Sequence, residues 1–495
     1  MAAMEKTGII AKIKELKTYE IAKIFIIFFF LIILGFLAFQ YLFQTNFPIG
    51  HDAGHHATNA IRIQESGFSL NSFSKIAYPL PLEIYSFVQA ITGLEWPFLF
   101  IIVICSFLFL GSIALLCFAK SVTKSWAIGI AAAILFVTSK WTGDALRIGF
   151  LAEIWAWLIF LIASYFLINK KFWPLAISFL ILLISHPLVA AVFVLISIIY
   201  SIAIWFFSKD KEYKKMLLKF WAVFTLITAV IALLFTNKLD FFLHYAENSY
   251  LEGARDFRQI IFSDNKARSL VYFMALFGLG ISFKKIKNNG ILFFWVMLLV
   301  SALMIQSYLW GINFMVFRFY PYFEIAIAFF AGYAISFLVN NIFQNFKNNY
   351  WNLISIIMII IVTLVLAWPN IKTNKEITSW QLNDQKILAT MPVQDREVLK
   401  WAKNNLPKDS KFIAQVKWGA WVKPIAGFPT MESDKLLSQK GHWSTYTLLR
   451  QYRIKYIYLS SFRKRTIIDA YPQFFTKIYE KENARIYKVN KSWRI

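Results

Sequence analysis

The sequence is poor in cysteine and in acidic residues, and each shortage narrows the class of protein. Only two cysteines occur in 495 residues, and Cys105 and Cys117 share one apolar segment, so we expect packing residues rather than a disulfide or a metal pair. Acidic residues number 27 against 52 lysines and arginines, a net charge of +25. Apolar residues are abundant instead, because 58% of the chain is hydrophobic, which is more than soluble domains have.

Repeated apolar runs of about 20 residues, the length that crosses a bilayer as a helix, predict a polytopic membrane protein. The first run has bulky flanks and no small-residue cleavage site after it, so we expect a span rather than a cleaved signal. Eleven spans are predicted, at residues 21–43, 97–119, 125–140, 151–168, 172–185, 188–207, 217–236, 269–283, 290–309, 319–339 and 352–368. The expected fold class is a polytopic all-α membrane domain of about 11 transmembrane helices, followed by a small extracytoplasmic α/β domain.

Basic residues in the short loops predict the orientation. Segment 1–20 is basic, and so are alternate loops, so these segments are assigned to the cytoplasm. The outer side then receives loops 44–96, 141–150, 237–268 and 310–318 and the region after 369. All six histidines fall on that side (His51, His55, His56, His186, His244 and His442), together with Asp144 and Arg318. The prediction is a multi-pass plasma-membrane protein with a cytoplasmic N-terminus and its chemistry outside.

Three domains follow from this pattern: the basic N-terminus 1–20, the transmembrane domain 21–368 and an extracytoplasmic domain 369–495. The last region has no run of membrane length. Helices are predicted there at residues 395–405 and 443–452, and strands at residues 411–416, 455–460, 474–479 and 485–489. Its surplus of basic residues suggests an anionic neighbour, and a solvated basic surface is an equal alternative.

Titratable residues are concentrated directly after the first span, in residues 50–62, Gly-His-Asp-Ala-Gly-His-His-Ala-Thr-Asn-Ala-Ile-Arg. Loop 44–96 is too long for a simple connection, and helices are predicted at residues 53–66 and 82–92. If the first helix begins at Asp52, then Asp52, His56 and Asn59 share a face, and His51 and His55 share another. Asp52 is predicted to be a catalytic carboxylate, with helix capping as the alternative.

The histidines of this segment leave two interpretations open. His51 and His55, with Asp52 or His56, could hold a divalent cation such as Mg, Mn or Zn. Alternatively, the three histidines contact the substrate or orient Asp52. A carboxylate near histidine or arginine stays ionised and can accept a proton from a hydroxyl.

Further candidates are predicted on the same side of the membrane. Asp144 is a second catalytic candidate and Arg147 a phosphate ligand, although an ordinary polar turn explains both. Arg318, in Phe-Arg-Phe-Tyr-Pro-Tyr at the end of the tenth span, is predicted to bind a lipid-linked phosphate, with snorkelling as the alternative. Arg255 and Arg258, in loop 237–268, are secondary phosphate candidates.

Two residues at the predicted helix ends complete the set of candidates. Glu153 lies just inside the fourth span, where a carboxylate is costly unless it faces a cavity. His186 precedes Pro187, and an interfacial histidine that ends a helix is the simpler interpretation. Both are candidates for contact with a substrate or a metal.

The acid after the first span, the helix that follows it, the Tyr-Pro element and the second amphipathic helix resemble the GT-C superfamily of membrane glycosyltransferases. Its members include protein O-mannosyltransferases, oligosaccharyltransferases and lipid-A aminoarabinose transferases. The resemblance covers about residues 20–340 and implies a polyprenyl-phosphate sugar donor. It also implies a general base or metal ligand at Asp52, and a second acid at Asp144 that would share a metal with Asp52 or position the acceptor. The Trp-Trp-Asp-Tyr-Gly motif of oligosaccharyltransferases is absent, which disfavours transfer of a preassembled glycan to asparagine.

The predicted function is therefore inverting transfer of a hexosyl or pentosyl group to a hydroxyl of a glycan, lipid or protein. We expect membrane lipids as neighbours, no organic cofactor and no nucleic acid. The alternatives are a lipid or glycan transporter, a metal-dependent membrane hydrolase, and a non-catalytic surface protein that binds an anionic polymer.

Overall fold

The computed structural model describes residues 2–40, 52–67, 79–148, 150–234, 266–307, 319–343, 349–380, 391–414, 419–432, 442–461 and 467–490. The chain forms two compact units. The first comprises Met1–Gln40, Cys105–Asp144 and Glu153–Glu376, and the second comprises Tyr41–Ile104, Ala145–Ala152 and Ile377–Ile495. The second unit therefore combines the predicted first external loop with the C-terminal region.

A helix lies in every segment predicted to be a span. The helices up to residue 380 are α1 (Ala2–Phe39), α2 (Asp52–Ser66), α3 (Pro79–Thr92), α4 (Trp96–Thr123), α5 (Trp126–Val137), α6 (Lys140–Ile148), α7 (Leu151–Ile168), α8 (Phe172–Ser185), α9 (Pro187–Phe207), α10 (Lys211–Leu234), α11 (Lys266–Phe283), α12 (Asn289–Ile305), α13 (Tyr320–Phe343) and α14 (Asn349–Trp380). Within the described residues, six helices are long and apolar enough to cross a membrane, or seven if the bent pair α5–α6 is one span. The predicted count of eleven is not confirmed.

The prediction of a loop at residues 141–150 was wrong, because most of this segment is helix α6. The axis of α6 is bent by 47° from that of α5. The bend falls where hydroxyls bond to the backbone: Thr138 Oγ1 donates to the carbonyl of Ile134 at 2.7 Å, and Thr142 Oγ1 donates to that of Phe136 at 2.8 Å. The segment is helical beyond the bend because Ala145 and Leu146 form a buried apolar face. The prediction of a loop rested on its polar residues alone.

Close backbone packing holds the first unit together. In the most apolar 18-residue stretch of α13, 89% of the residues are buried. The rings of Phe294 on α12 and Phe329 on α13 stack with centroids 3.7 Å apart. A Cβ added at Gly278 would lie 1.9 Å from the carbonyl oxygen of Phe330, so only glycine permits α11 to approach α13 this closely. Small residues at helix contacts are typical of membrane helices, where shape governs association.

The first-loop helices agree with the prediction. Helix α2 begins at Asp52 and ends at Ser66, before Gly67, whose φ of +71° is the left-handed conformation that stops helices. Helix α3 begins at Pro79, and Pro81 lies in its first turn, where proline is tolerated because those N–H groups have no helical partner.

The C-terminal region contains α15 (Val393–Asn405), β1 (Phe412–Ala414), α16 (Val422–Ala426), β2 (Thr430–Glu432), α17 (His442–Gln451), β3 (Tyr456–Leu459), a 3-10 helix (Ile467–Ala470), β4 (Phe475–Lys481) and β5 (Ala484–Val489). The sheet order is β2-β1-β3-β5-β4. Strand β1 is parallel to β2 and β3, and β5 is antiparallel to β3 and β4. The predicted α/β composition is confirmed, and α16 and β2 are additions.

The last predicted span, at residues 352–368, agrees with the apolar stretch Trp351–Lys372 of α14, and the helix continues through Pro369 to Trp380.

The packing prediction for the two cysteines is confirmed for one of them. Neither cysteine forms a disulfide, and Cys105 is buried as expected of a packing residue. Cys117 is exposed, so the packing prediction does not hold for it.

Candidate functional site

Helix α2 carries the candidate residues of the first loop. Its backbone begins at Asp52, while the Asp52 side chain and all of His51 lie outside the described residues. At Gly54, an added Cβ would lie 2.8 Å from Ala420 Cβ and 3.0 Å from Trp421 Nε1. Glycine therefore allows the first turn of α2 to pack directly against the segment that leads into α16.

Two polar contacts extend this packing along α2. Thr58 Oγ1 donates a hydrogen bond to the carbonyl oxygen of Ala420 at 2.8 Å. Lys423 Nζ pairs with Glu65 Oε2 at 2.5 Å, and the lysine side chain is the less exposed of the two, at 15% against 59%. Helix α2 is thus fixed to the C-terminal region at its first turn, its middle and its last turn.

Helix α2 also contacts the rest of the first-loop structure. Gln64 Nε2 donates to the carbonyl of Ser86 at 2.9 Å and to Gln89 Oε1 at 2.8 Å. The His56 ring stacks on Phe100, with centroids 6.3 Å apart and planes inclined by 14°. His56 therefore faces α4, and its ring is positioned by an aromatic contact.

A polar cavity of about 370 Å³ lies beside α2. It is lined by His55, Thr58, Asn59, Arg62, Gly419, Ala420, Lys423, Pro429 and Thr430. Arg62 Nη1 donates to Asn59 Oδ1 at 3.2 Å, which orients the amide. The lining offers an imidazole, a guanidinium, an ammonium, an amide and two hydroxyls, a set that suits a ligand rich in hydroxyl or anionic groups.

Sequence reasoning found part of this lining. His55 was a candidate, and Asn59 was placed on the same face as Asp52. Thr58 and Arg62 lie in the predicted segment 50–62 but were not singled out, and Lys423 was missed. Positions 55, 58, 59 and 62 lie on one face of a helix, and this spacing could have identified Thr58 and Arg62. No sequence pattern around Lys423 indicates a role at this cavity, because the lysine contacts α2 only in the tertiary structure.

Helix α6 positions Asp144 in the first unit. Lys140 Nζ lies 3.9 Å from Asp144 Oδ2, one turn away, and both side chains are about a quarter exposed. The Trp141 ring stacks on Tyr320 at the start of α13, with centroids 4.6 Å apart. The Arg147 side chain and all of Arg318, Arg255 and Arg258 lie outside the described residues.

Glu153 and His186 are both buried in the first unit, with 4% and 2% exposure. Trp155 Nε1 donates to Ser185 Oγ at 3.0 Å, which joins the start of α7 to the end of α8. His186 Nδ1 accepts from the backbone N–H of Val189 at 3.4 Å, so the imidazole caps α9. This bond gives His186 a structural role at the start of a helix.

The described side chains contain no group of three histidines, cysteines or acids placed to hold a metal ion. Of the predicted metal set, His51 and the Asp52 side chain lie outside those residues. His55 lines the cavity and His56 stacks on Phe100, so these two neighbours do not share one environment.

No protein-family model and no curated protein sequence matches the chain. Solved structures match its fold. ArnT from Cupriavidus metallidurans, bound to undecaprenyl phosphate, aligns with a TM-score of 0.57 and 11% identity over 93% of this chain and 97% of that chain. Arabinofuranosyltransferase AftD from Mycobacteria gives a TM-score of 0.57 and 11% identity over 93% of this chain and 40% of that chain.

The oligosaccharyltransferase of Archaeoglobus fulgidus, in complex with zinc and sulfate, is also similar. Its TM-score is 0.55 at 12% identity, over 87% of this chain and 68% of that chain. These proteins are GT-C membrane glycosyltransferases. The chain therefore shares the fold of these proteins, which is mostly helical with a small C-terminal sheet, and this agrees with the resemblance of its sequence pattern.

Proposed function

We propose that the chain is a membrane glycosyltransferase that moves a sugar from a polyprenyl-phosphate donor to a hydroxyl acceptor. The observation that carries the proposal is the likeness of fold to ArnT, which extends over nearly all of both chains and includes the C-terminal region. That protein binds undecaprenyl phosphate, a lipid of the proposed donor class. The acceptor is a glycan, a lipid or a protein, on the extracytoplasmic side.

Asp52 is the proposed general base. Position 52 precedes Asn59 by seven residues, which is two turns, so the two positions lie on one face of the α-helix. His55 and Asn59 line the polar cavity, so this face of α2 supports a reacting group at its first turn. Because α2 is fixed at three points by the C-terminal region, position 52 belongs to a rigid element, as precise catalysis requires.

In the proposed reaction, the carboxylate at Asp52 accepts the proton of the acceptor hydroxyl as its oxygen attacks the anomeric carbon. The bond from that carbon to the lipid phosphate breaks, and the phosphate leaves with the bonding electrons. Arg318 and Arg147, with Arg255 and Arg258 in secondary roles, stabilise its negative charge. Asp144 positions the acceptor. One displacement inverts the anomeric configuration.

The polar cavity is the proposed place for a hydroxyl-rich part of the acceptor. Arg62, Asn59 and Lys423 supply donors, and Thr58 and Thr430 supply hydroxyls. A divalent cation bound by His51, Asp52 and His55 is the alternative role for this segment, and the zinc in the oligosaccharyltransferase structure motivates testing it. Glu153, His186 and His56 remain candidates for substrate contact.

The test is turnover of a panel of polyprenyl-phosphate sugars by the purified full chain. We expect Asp52→Asn to lower kcat by about 10²–10⁴-fold, the usual contribution of a general base. Glu95→Gln, which alters an exposed acid of the same predicted loop, is the matched control and should retain activity. Equal rates in wild type and Asp52→Asn would remove Asp52 as the base.

Two further outcomes separate the alternatives. Loss of turnover on chelation, with recovery on adding Zn²⁺ or Mn²⁺, would assign Asp52 to a metal site. Failure to turn over any donor, together with movement of a labelled glycan lipid across a vesicle membrane, would favour a transporter.

A further inference from the structure

A second polar cavity, of about 360 Å³, lies within the first unit. It is formed where α4 connects to α5, at the start of α12 and at the last turns of α13. Its lining includes Lys124 and Lys285 and the amides of Asn340 and Asn341. The proposed reaction uses none of these residues.

The charge of this cavity selects its ligand. Among the lining residues there are two lysines and no aspartate or glutamate. The Lys285 ammonium lies 5.9 Å from the ring centroid of Tyr333, which also lines the cavity. An anion is therefore the complementary ligand, and a phosphate group offers oxygens to both lysines and both amides.

The position of the cavity points to the membrane. Tyr320 stacks on Trp141 at one end of α13, and Asn340 lines the cavity near the other end. Twenty residues of helix rise about 30 Å, which is the thickness of the hydrocarbon core. The cavity and the Trp141–Tyr320 pair therefore lie at opposite ends of a helix long enough to cross the bilayer, and the basic loops assign the end with the cavity to the cytoplasm.

Apolar surface adjoins the cavity. Phe337 lines it and is 40% exposed, and Ile342, at the end of the same helix, is 67% exposed. An acyl chain can lie along these side chains while a headgroup occupies the polar space. Basic pockets between membrane helices on the cytoplasmic side bind anionic lipid headgroups in this manner.

We propose that this cavity binds the phosphate group of an anionic membrane lipid in the leaflet predicted to be cytoplasmic. Lys124 and Lys285 pair with the phosphate, Asn340 and Asn341 donate hydrogen bonds, and the acyl chains pass along Phe337. The site is separate from the proposed glycosyl transfer and does not depend on it.

Native mass spectrometry of the full chain, with phosphatidylglycerol or phosphatidylcholine added, tests the proposal. We expect Lys124→Gln and Lys285→Gln each to weaken phosphatidylglycerol binding by about fivefold, which is about 1 kcal/mol per lysine. Both changes together should weaken it by about 25-fold. Lys284→Gln is the matched control, because Lys284 is exposed, adjoins Lys285 and does not line the cavity.

Lys285→Arg, which keeps the charge, should retain binding, and phosphatidylcholine should bind weakly to every variant. Equal phosphatidylglycerol binding by wild type and the double variant would overturn the proposal. So would inorganic phosphate that binds as tightly as the lipid and displaces it, because the ligand would then be a soluble anion. A melting curve for each variant confirms that it is folded.

Discussion

The two compact units are stabilised by different kinds of contact. In the first unit, helix backbones approach so closely that Gly278 and Gly332 leave little room for a side chain. In the second unit, polar groups join elements far apart in the sequence, as Thr58 joins Ala420 and Lys423 joins Glu65. Close backbone approach at these two glycines therefore decides how the helices of the first unit pack, whereas the elements around the polar cavity of the second unit are joined by individual hydrogen bonds and charges.

Asp395 is the most buried example of this polar pairing. The carboxylate is fully buried at the start of α15. It accepts hydrogen bonds from the Tyr458 hydroxyl and from the N–H and hydroxyl of Ser461. Burial raises the pKa of Asp395, and the donors of Ser461 and Tyr458 oppose that shift. One carboxylate thus joins α15 to the end of β3.

The largest effect is expected for Gly278→Ala in the first unit. The new Cβ would meet the carbonyl oxygen of Phe330 at 1.9 Å, and backbone cannot rotate away as a side chain can. We expect a loss of about 3 kcal/mol in the free energy of unfolding, the upper part of the range for overpacking. Thermal unfolding in detergent measures it.

Gly280→Ala is the control on the same helix, because an added Cβ there meets no atom within 4 Å. Alanine should be neutral or stabilising by up to about 1 kcal/mol. Equal destabilisation by the two substitutions would show that close backbone approach is not what holds the first unit.

Asp395→Asn is expected to have the next largest effect. The amide group would turn an N–H toward the donors that now bond to a carboxylate oxygen, which costs about 1–3 kcal/mol. The measurement is chemical unfolding followed by a probe in the C-terminal region. Unchanged stability would mean that the buried carboxylate does not join α15 to β3.

The stability of the wild type relative to Asp395→Asn should also depend on pH, and the sign of that dependence follows from the pKa of Asp395. Because burial raises the pKa of folded Asp395 above its unfolded value, the folded state binds the proton more tightly. The resulting stabilisation is complete below the unfolded pKa and is lost as the pH rises through the folded pKa. Wild type should therefore show this loss relative to Asp395→Asn, and parallel pH profiles would contradict the raised pKa.

A smaller effect is expected for Thr58→Val, which keeps the shape of the side chain and removes its hydroxyl. Losing the bond to the Ala420 carbonyl should cost about 0.5–1.5 kcal/mol. Thr58→Ser keeps the hydroxyl and should lose less. If the bond also positions α2, the turnover of Thr58→Val should fall while that of Thr58→Ser is retained.

The smallest effect is expected for Glu65→Gln. The glutamate side chain is 59% exposed, so its pair with Lys423 should contribute about 0.2–1 kcal/mol. Raising the salt concentration should reduce the difference between wild type and variant, because ions screen an exposed pair. A difference that is large and insensitive to salt would show that the pair is more shielded than its exposure indicates.

Local pattern was sufficient for most helices and for four strands. Apolar runs identified the segments of α7 and α8 to the residue, and residues 474–479 and 485–489 were predicted as a closing pair of strands, which β4 and β5 form. It failed at α6, whose Thr-Gly-Asp sequence is typical of a turn but whose Ala145 and Leu146 are buried. It also missed β2, which has only three residues and is stabilised by pairing with β1 rather than by its own sequence.

The sequence by itself determined the membrane class, the GT-C resemblance, the α/β character of the C-terminal region and the helix that begins at Asp52. These properties depend on hydrophobic periodicity and on turn residues, which act over a few positions. Only the tertiary structure decided that α2 packs on Ala420 and Lys423 and that a polar cavity lies beside it. Contacts across more than 350 residues depend on how the whole chain folds, and no local pattern encodes them.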